Sequence, residues 1–167
     1  MTRPLRLIIN FLLFQSSWWA AFFFQNDALI VMVGIALVML MLSHKRRLDA
    51  LLCGTFILGC VLELVANHLG LLHFDSPLLP LWLAALWVSL ILTINHSLDF
   101  INSLKTWQCF ALCWLVAPLS YLGAARYEVI QVSAPWWSFY LFYGFLWALT
   151  FSVIVVINKR LNHVIIK

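Results

Sequence analysis

Long apolar runs alternate with short polar breaks along this chain. The runs predict helices at Pro4 to Phe24, Ala28 to Leu42, Leu48 to Leu72, Leu78 to Ile101, Thr106 to Gly123 and Pro135 to Asn158. A helix that spans a bilayer needs roughly 20 apolar residues. Runs of this size, joined by short breaks, use up nearly the whole chain as one multi-pass domain, residues 1–167. The second run is short, about 15 residues or about 22 Å at helical rise. Asn26 and Ser43 are therefore expected near the interfaces, with Lys45 and Arg46 snorkelling out of the apolar layer. Arg3 and Arg6 precede the first run as they would in a signal peptide. The run ends in Phe22-Phe23-Phe24-Gln25-Asn26-Asp27 without a small-residue cleavage pattern, so it is expected to stay attached as a helix.

Composition narrows the picture. Apolar residues make up 65% of the chain, charged residues 10%, and the mean hydropathy is +1.00. Soluble domains carry about 45–50% apolar and about 25% charged residues, so lipid is the expected solvent and a hidden soluble catalytic domain is excluded. The expected fold is all-α, an integral membrane bundle of six transmembrane helices.

Charge sets the expected orientation, because Lys and Arg of short loops stay on the cytoplasmic side. With both termini cytoplasmic, that side holds Arg3, Arg6, Lys45, Arg46, Arg47, Lys105, Lys159, Arg160 and Lys167. The other side holds Arg126 with Asp27, Asp75 and Glu128. The net charge of +4 is thus a topology signal. Nucleic-acid binding is not expected, since His44-Lys45-Arg46-Arg47 is a tight turn between two spans and lacks a folded basic surface. Trp18, Trp19, Trp82, Trp136 and Trp137 fall at outer helix ends and Trp107 at an inner one, as in an aromatic belt. Trp87, Trp114 and Trp147 fall nearer mid-membrane, where they serve either helix packing or a ligand wall. Cys53, Cys60, Cys109 and Cys113 lie in predicted helices and are expected to be free thiols. No Gly-rich phosphate loop, nucleotide fingerprint or metal-ligand spacing occurs, so neither a cofactor nor a metal is expected.

Ionisable side chains deep in a bilayer are costly and are functional candidates by default. Glu63 lies in the third run, about 4 Å to the outer side of its midpoint at helical rise. Asn67 follows one turn on, and Gly59, Ala66 and Gly70 share that side, a spacing that allows close approach of another helix. In the sixth run Trp136, Tyr140, Tyr143, Trp147 and Thr150 trace one helical stripe, with Tyr143 within a turn of the depth of Glu63. Glu63 and Tyr143 are the candidate catalytic residues. Gln15, Asn67, Trp82, Trp87, Tyr140 and Trp147 are the candidate ligand wall, and an aromatic packing seam is the competing reading of the stripe. A second polar cluster is expected in the fourth run. There Ser89, Thr93 and His96 form a stripe and Asn95 pairs with Asp99, about 8–10 Å to the inner side of the midpoint for Asn95 and His96. It serves either as a separate site or as interhelical bonding. His68 and His73, near an outer helix end, are expected to be solvated.

Gln15-Ser16-Ser17-Trp18-Trp19, the run Glu63-Leu64-Val65-Ala66-Asn67-His68-Leu69-Gly70 and the stretch from Pro80-Leu81-Trp82 to Trp87 resemble the domain-of-unknown-function 2878 family across nearly the whole chain. That resemblance implies a small multi-pass protein of the bacterial inner membrane and carries no activity with it. A Glu in one helix, followed by Pro and Trp opening the next, is also similar to integral-membrane carotenoid cyclases and hydratases, whose further acidic motifs are not evident here. Three functions fit these residues: an enzyme or binder of an apolar lipid, isoprenoid or fatty-acyl ligand, with Glu63 as acid, base or hydrogen-bond anchor; a small transporter or channel; or a non-catalytic partner or assembly subunit whose polar residues lock helices together. Membrane lipids are the expected partners, and protein partners are not specified by any motif.

Overall fold

The computed structural model describes residues 2–74 and 79–165. Helix α1, Arg3–Phe24, begins after the extended residue Thr2, with Pro4 in its first turn where a missing N–H costs nothing. It ends at Gln25, whose φ of 45° breaks the helical path. A single 3-10 turn, Gln25–Ala28, leads into α2, Leu29–Leu42, which folds back to pack on α1. Helix α2 is apolar all round. Met32 and Met39 are buried, while Ile30, Val31, Leu37 and Met41 stand exposed, an arrangement suited to lipid on one side.

The third apolar run is divided, and Leu48 to Leu72 does not form one helix. It comprises α3, Arg46–Cys53, and α4, Phe56–His68. Between them Gly54 and Thr55 bond to carbonyls three residues back, and the Thr55 hydroxyl donates to the Leu52 carbonyl at 2.6 Å. Tightening of this kind bends a helix without exposing its backbone. Helix α4 ends in a Schellman motif: Leu71 N–H donates to Ala66 O, Gly70 N–H to Asn67 O, and Gly70 takes a φ of 69°. Gly70 is thus a helix stop rather than part of the close-packed face.

The fourth run departs further from expectation. Of Leu78 to Ile101, only Leu81–Ile91 forms helix α5; Leu78 lies outside the described residues. Turns follow, then a 3-10 turn at Asp99–Ser103. Side chains supply the bonds that a helix would have supplied. The Asn10 amide donates to Leu92 O at 3.2 Å and accepts from Ser97 N, and the Asn102 amide donates to Ile94 O at 2.9 Å. Non-helical backbone in an apolar bundle requires partners of this sort.

Helix α6, Thr106–Arg126, and α7, Trp136–Ile165, run past the predicted ends at Gly123 and Asn158 and pack along each other. Gly144 makes that contact close, since a Cβ there would lie 2.6 Å from Trp114 Cδ1 and 2.7 Å from Pro118 Cγ. Strands β1, Leu72–His73, and β2, Gln131–Val132, pair antiparallel with Leu72 opposite Val132. They tie the loop after α4 to the loop after α6. Helix α5 is central, in contact with α1, α2, α3 and α4. Among the described residues, four helical segments are long and apolar enough to cross a membrane: Arg3–Leu42, which doubles back at Gln25, Arg46–His68, Thr106–Arg126 and Trp136–Ile165.

Candidate functional site

Glu63 has no exposed surface. Gly59, one turn earlier on α4, lets the Trp87 indole lie directly on the backbone, because a Cβ there would sit 2.3 Å from the ring. That approach brings Trp87 Nε1 to 3.1 Å from Glu63 Oε1, to which it donates. Tyr121, on α6, donates its hydroxyl to the same oxygen at 2.5 Å. Tyr143, on α7, lies 3.0 Å from each carboxyl oxygen. The aromatic rings hold one another in place: Tyr121 and Tyr143 centroids are 4.7 Å apart, Phe139 stacks on Tyr143 at 4.6 Å, and Trp147 sits 5.4 Å from Trp87.

The hydrogen-bond set around the carboxyl consists wholly of neutral donors, one indole and two phenols, and among the described residues no Lys, Arg or His pairs with it. Tyr143 can bridge both oxygens, donating to one and accepting a carboxyl proton from the other. Such a group can hold or pass a proton, and it fixes the two phenols and the indole whichever form it takes.

Trp87 and Tyr121 present their other faces to a cavity of about 670 Å³. Its walls come from α1, α5, α6, α7 and the turn after α5, including Gln15, Trp18, Leu86, Cys113 and Trp147. It exists because α1 packs on α2 and α5 while α6 packs on α7, leaving a gap between the two groups. Ligand pockets run from about 300 to 1,000 Å³ and combine apolar walls with few polar groups, a description this cavity meets.

Of the sequence-predicted residues, Glu63, Tyr143 and Trp87 come together directly, with Trp147 beside them. Gln15 lines the cavity without reaching Glu63. Asn67 does not bond to Glu63, and the Tyr140 hydroxyl donates instead to Leu115 O at 2.6 Å, joining α7 to α6. Trp82 is buried at the start of α5, where its backbone N–H donates to Asn26 Oδ1, and it does not line this cavity. Trp136 is 71% exposed, so the inward stripe of α7 begins only below it. Tyr121 escaped the sequence reading because it belongs to no polar periodicity of its own helix.

The second cluster is larger than the fourth run alone suggested, and its centre is Asp49 of α3, which has no exposed surface. Ser43 donates to Asp49 Oδ2 at 2.6 Å, His96 Nε2 lies 2.8 Å from the same oxygen, and Asn95 donates to Oδ1 at 2.8 Å. Asn95 and Asn158 exchange amide hydrogen bonds at 3.0 and 2.9 Å, and Asn158 also donates to Asn102. Asp99 does not pair with Asn95; it receives Asn102 at 3.3 Å and faces Arg3 at 3.5 Å near the surface. His44 lies beside this cluster, outside the apolar segments. Burial first, then the neighbouring His96 ring and the Lys45 and Arg6 cations, hold its imidazole below its ordinary value against the opposing pull of Asp49. The two clusters share no residue.

Apolar helices with an exposed apolar surface, a buried carboxyl group and a lateral cavity define a helical membrane protein with an internal polar centre. The chain matches the family described as protein of unknown function (DUF2878) over residues 7–153, and it belongs to that family. No curated protein and no solved structure matches it.

Proposed function

We propose that this protein crosses the bacterial inner membrane six times, with both termini cytoplasmic, and binds an apolar lipid, isoprenoid or fatty-acyl chain in the cavity between α1, α5, α6 and α7. One observation carries the binding reading: Trp87 and Tyr121, which form part of the cavity wall, are the donors that also hold the buried Glu63. A carboxyl group placed behind a cavity wall gives that wall a rigid polar backing. Any proton exchanged with a bound molecule would pass through the Tyr121 hydroxyl, since Glu63 itself has no exposed surface. The proposed orientation is supported by the polar end of the bundle. There Lys45 donates to Asn162, Lys159 to Leu104 O, and Arg3 meets Asp99. Lys167 lies outside the described residues.

Photoreactive fatty-acyl or isoprenoid probes in nanodiscs test the reading. Crosslinks are expected on cavity residues such as Leu86 and Cys113, and Leu86→Trp, which fills the space, is expected to abolish them. Labelling that is equal at Ile30 and Leu86, or that survives Leu86→Trp, counts against a binding cavity.

The Asp49 cluster supports a different role for the second centre. Its amides satisfy each other across α3, the turn after α5 and α7, which is how helix-locking networks are built.

A further inference from the structure

Gln15 is a polar side chain in the cavity wall. Its side chain is half-buried, lies about 18 Å along α1 from Arg3 at helical rise, and therefore sits near the middle of the apolar layer. Among the described residues it makes no side-chain hydrogen bond, whereas Asn10 and Ser17 on the same helix are both paired, with Leu92 O and Ser89 Oγ. A primary amide facing an apolar space without a partner is costly, and hydrocarbon chains offer it none. The other polar groups near it are already engaged: Tyr121 donates to Glu63 and Ser120 to Ala117 O.

We infer that the ligand of this cavity is an apolar chain bearing an oxygen, a carbonyl or hydroxyl, at mid-membrane depth, and that the Gln15 amide is the group that pairs with it. This inference rests on the binding reading above and adds selectivity to it. The Gln15 N–H groups donate to a carbonyl oxygen, and its own carbonyl accepts from a hydroxyl. The aromatic rings of Trp18, Trp87 and Trp147 provide the flat walls along which the chain lies.

Two probes of equal length decide the matter in nanodiscs: a long-chain ketone with its carbonyl at mid-chain and the corresponding alkane, each carrying the same diazirine. Labelling is read by intact mass and mapped by peptide. The ketone is expected to label cavity residues roughly fivefold more than the alkane, about what one net hydrogen bond supplies. Gln15→Leu is expected to remove that preference while leaving alkane labelling intact, which also reports that the cavity survives the substitution. Equal labelling of the native protein by the two probes, or a preference unchanged in Gln15→Leu, overturns the role of Gln15 and leaves the cavity reading standing. Loss of alkane labelling in Gln15→Leu makes the residue structural and likewise overturns the role. Absence of cavity labelling by either probe, or labelling indifferent to Leu86→Trp, overturns the binding reading and this inference with it.

Discussion

The Tyr143 hydroxyl lies 3.0 Å from both carboxyl oxygens of Glu63, a residue 80 positions earlier in the chain. Neither side chain has exposed surface. The contact joins α4 to α7, and Tyr121 extends it to α6.

Glu63→Ala removes the common acceptor of Trp87, Tyr121 and Tyr143. Each donor left unpaired and buried costs about 1–3 kcal/mol, so the variant is expected to unfold at markedly lower temperature in detergent or to fail to accumulate. Glu63→Gln keeps a carbonyl acceptor and should lie much closer to the native protein. Equal thermal stability of the two variants would show that the three donors do not depend on residue 63.

Tyr121→Phe removes the donor and Glu63→Gln alters the acceptor of one bond, so the two are expected to be non-additive, with a coupling of about 0.5–3 kcal/mol. A double-mutant cycle on thermal unfolding measures this. The same cycle with Tyr140→Phe is expected to be additive, since that hydroxyl serves Leu115 O instead.

Gly59→Ala forces the Trp87 ring away from α4, because the new methyl would lie 2.3 Å from it. Overpacking of this kind costs about 1–3 kcal/mol, and a change in Trp fluorescence should accompany it. Gly34→Ala, where nothing lies within 4 Å, is the matched control and is expected to be neutral or slightly stabilising. A neutral Gly59→Ala would mean that α4 and α5 are not so closely apposed.

Asn158→Leu breaks the amide exchange with Asn95 and the bond to Asn102. A loss of about 1–3 kcal/mol is expected from the unpaired groups, with probe labelling of the cavity unchanged. Altered labelling would show that the two polar centres are coupled.

His44 is expected to titrate below the ordinary histidine value of about 6.5, because burial, His96, Lys45 and Arg6 all disfavour its charge. The sign for stability follows. The unfolded chain takes up the proton first as pH falls below that value, so this group favours the folded state above it and loses that contribution on acidification. An NMR titration of labelled His checks the midpoint, and a midpoint at or above the ordinary value rejects the assignment.

Much of this architecture follows from the chain itself. The apolar runs place α1, α2, α6 and α7, with α7 continuing from the predicted Asn158 to Ile165, because in lipid a helix satisfies its backbone internally. That Glu63 and Tyr143 lie level with each other is legible too, since rise per residue converts position along a run into height along the helix, and the two side chains meet. Other features required the fold. The fourth run reads as one helix, yet it stops at Ile91 because Asn10 and Asn102, distant in sequence, satisfy the turns that follow. Nothing in its own run marks Asp49, which becomes the centre of a buried network only when Ser43, His96 and Asn95 converge on it. Tyr121 stands alone on its helix, and only the packing of α6 along α7, which in turn packs on α4, aims it at Glu63. Periodicity and depth are local properties that a sequence states directly, whereas hydrogen bonds between separate spans depend on which helices become neighbours and how each is rotated, and these are decided by the packing of the whole bundle.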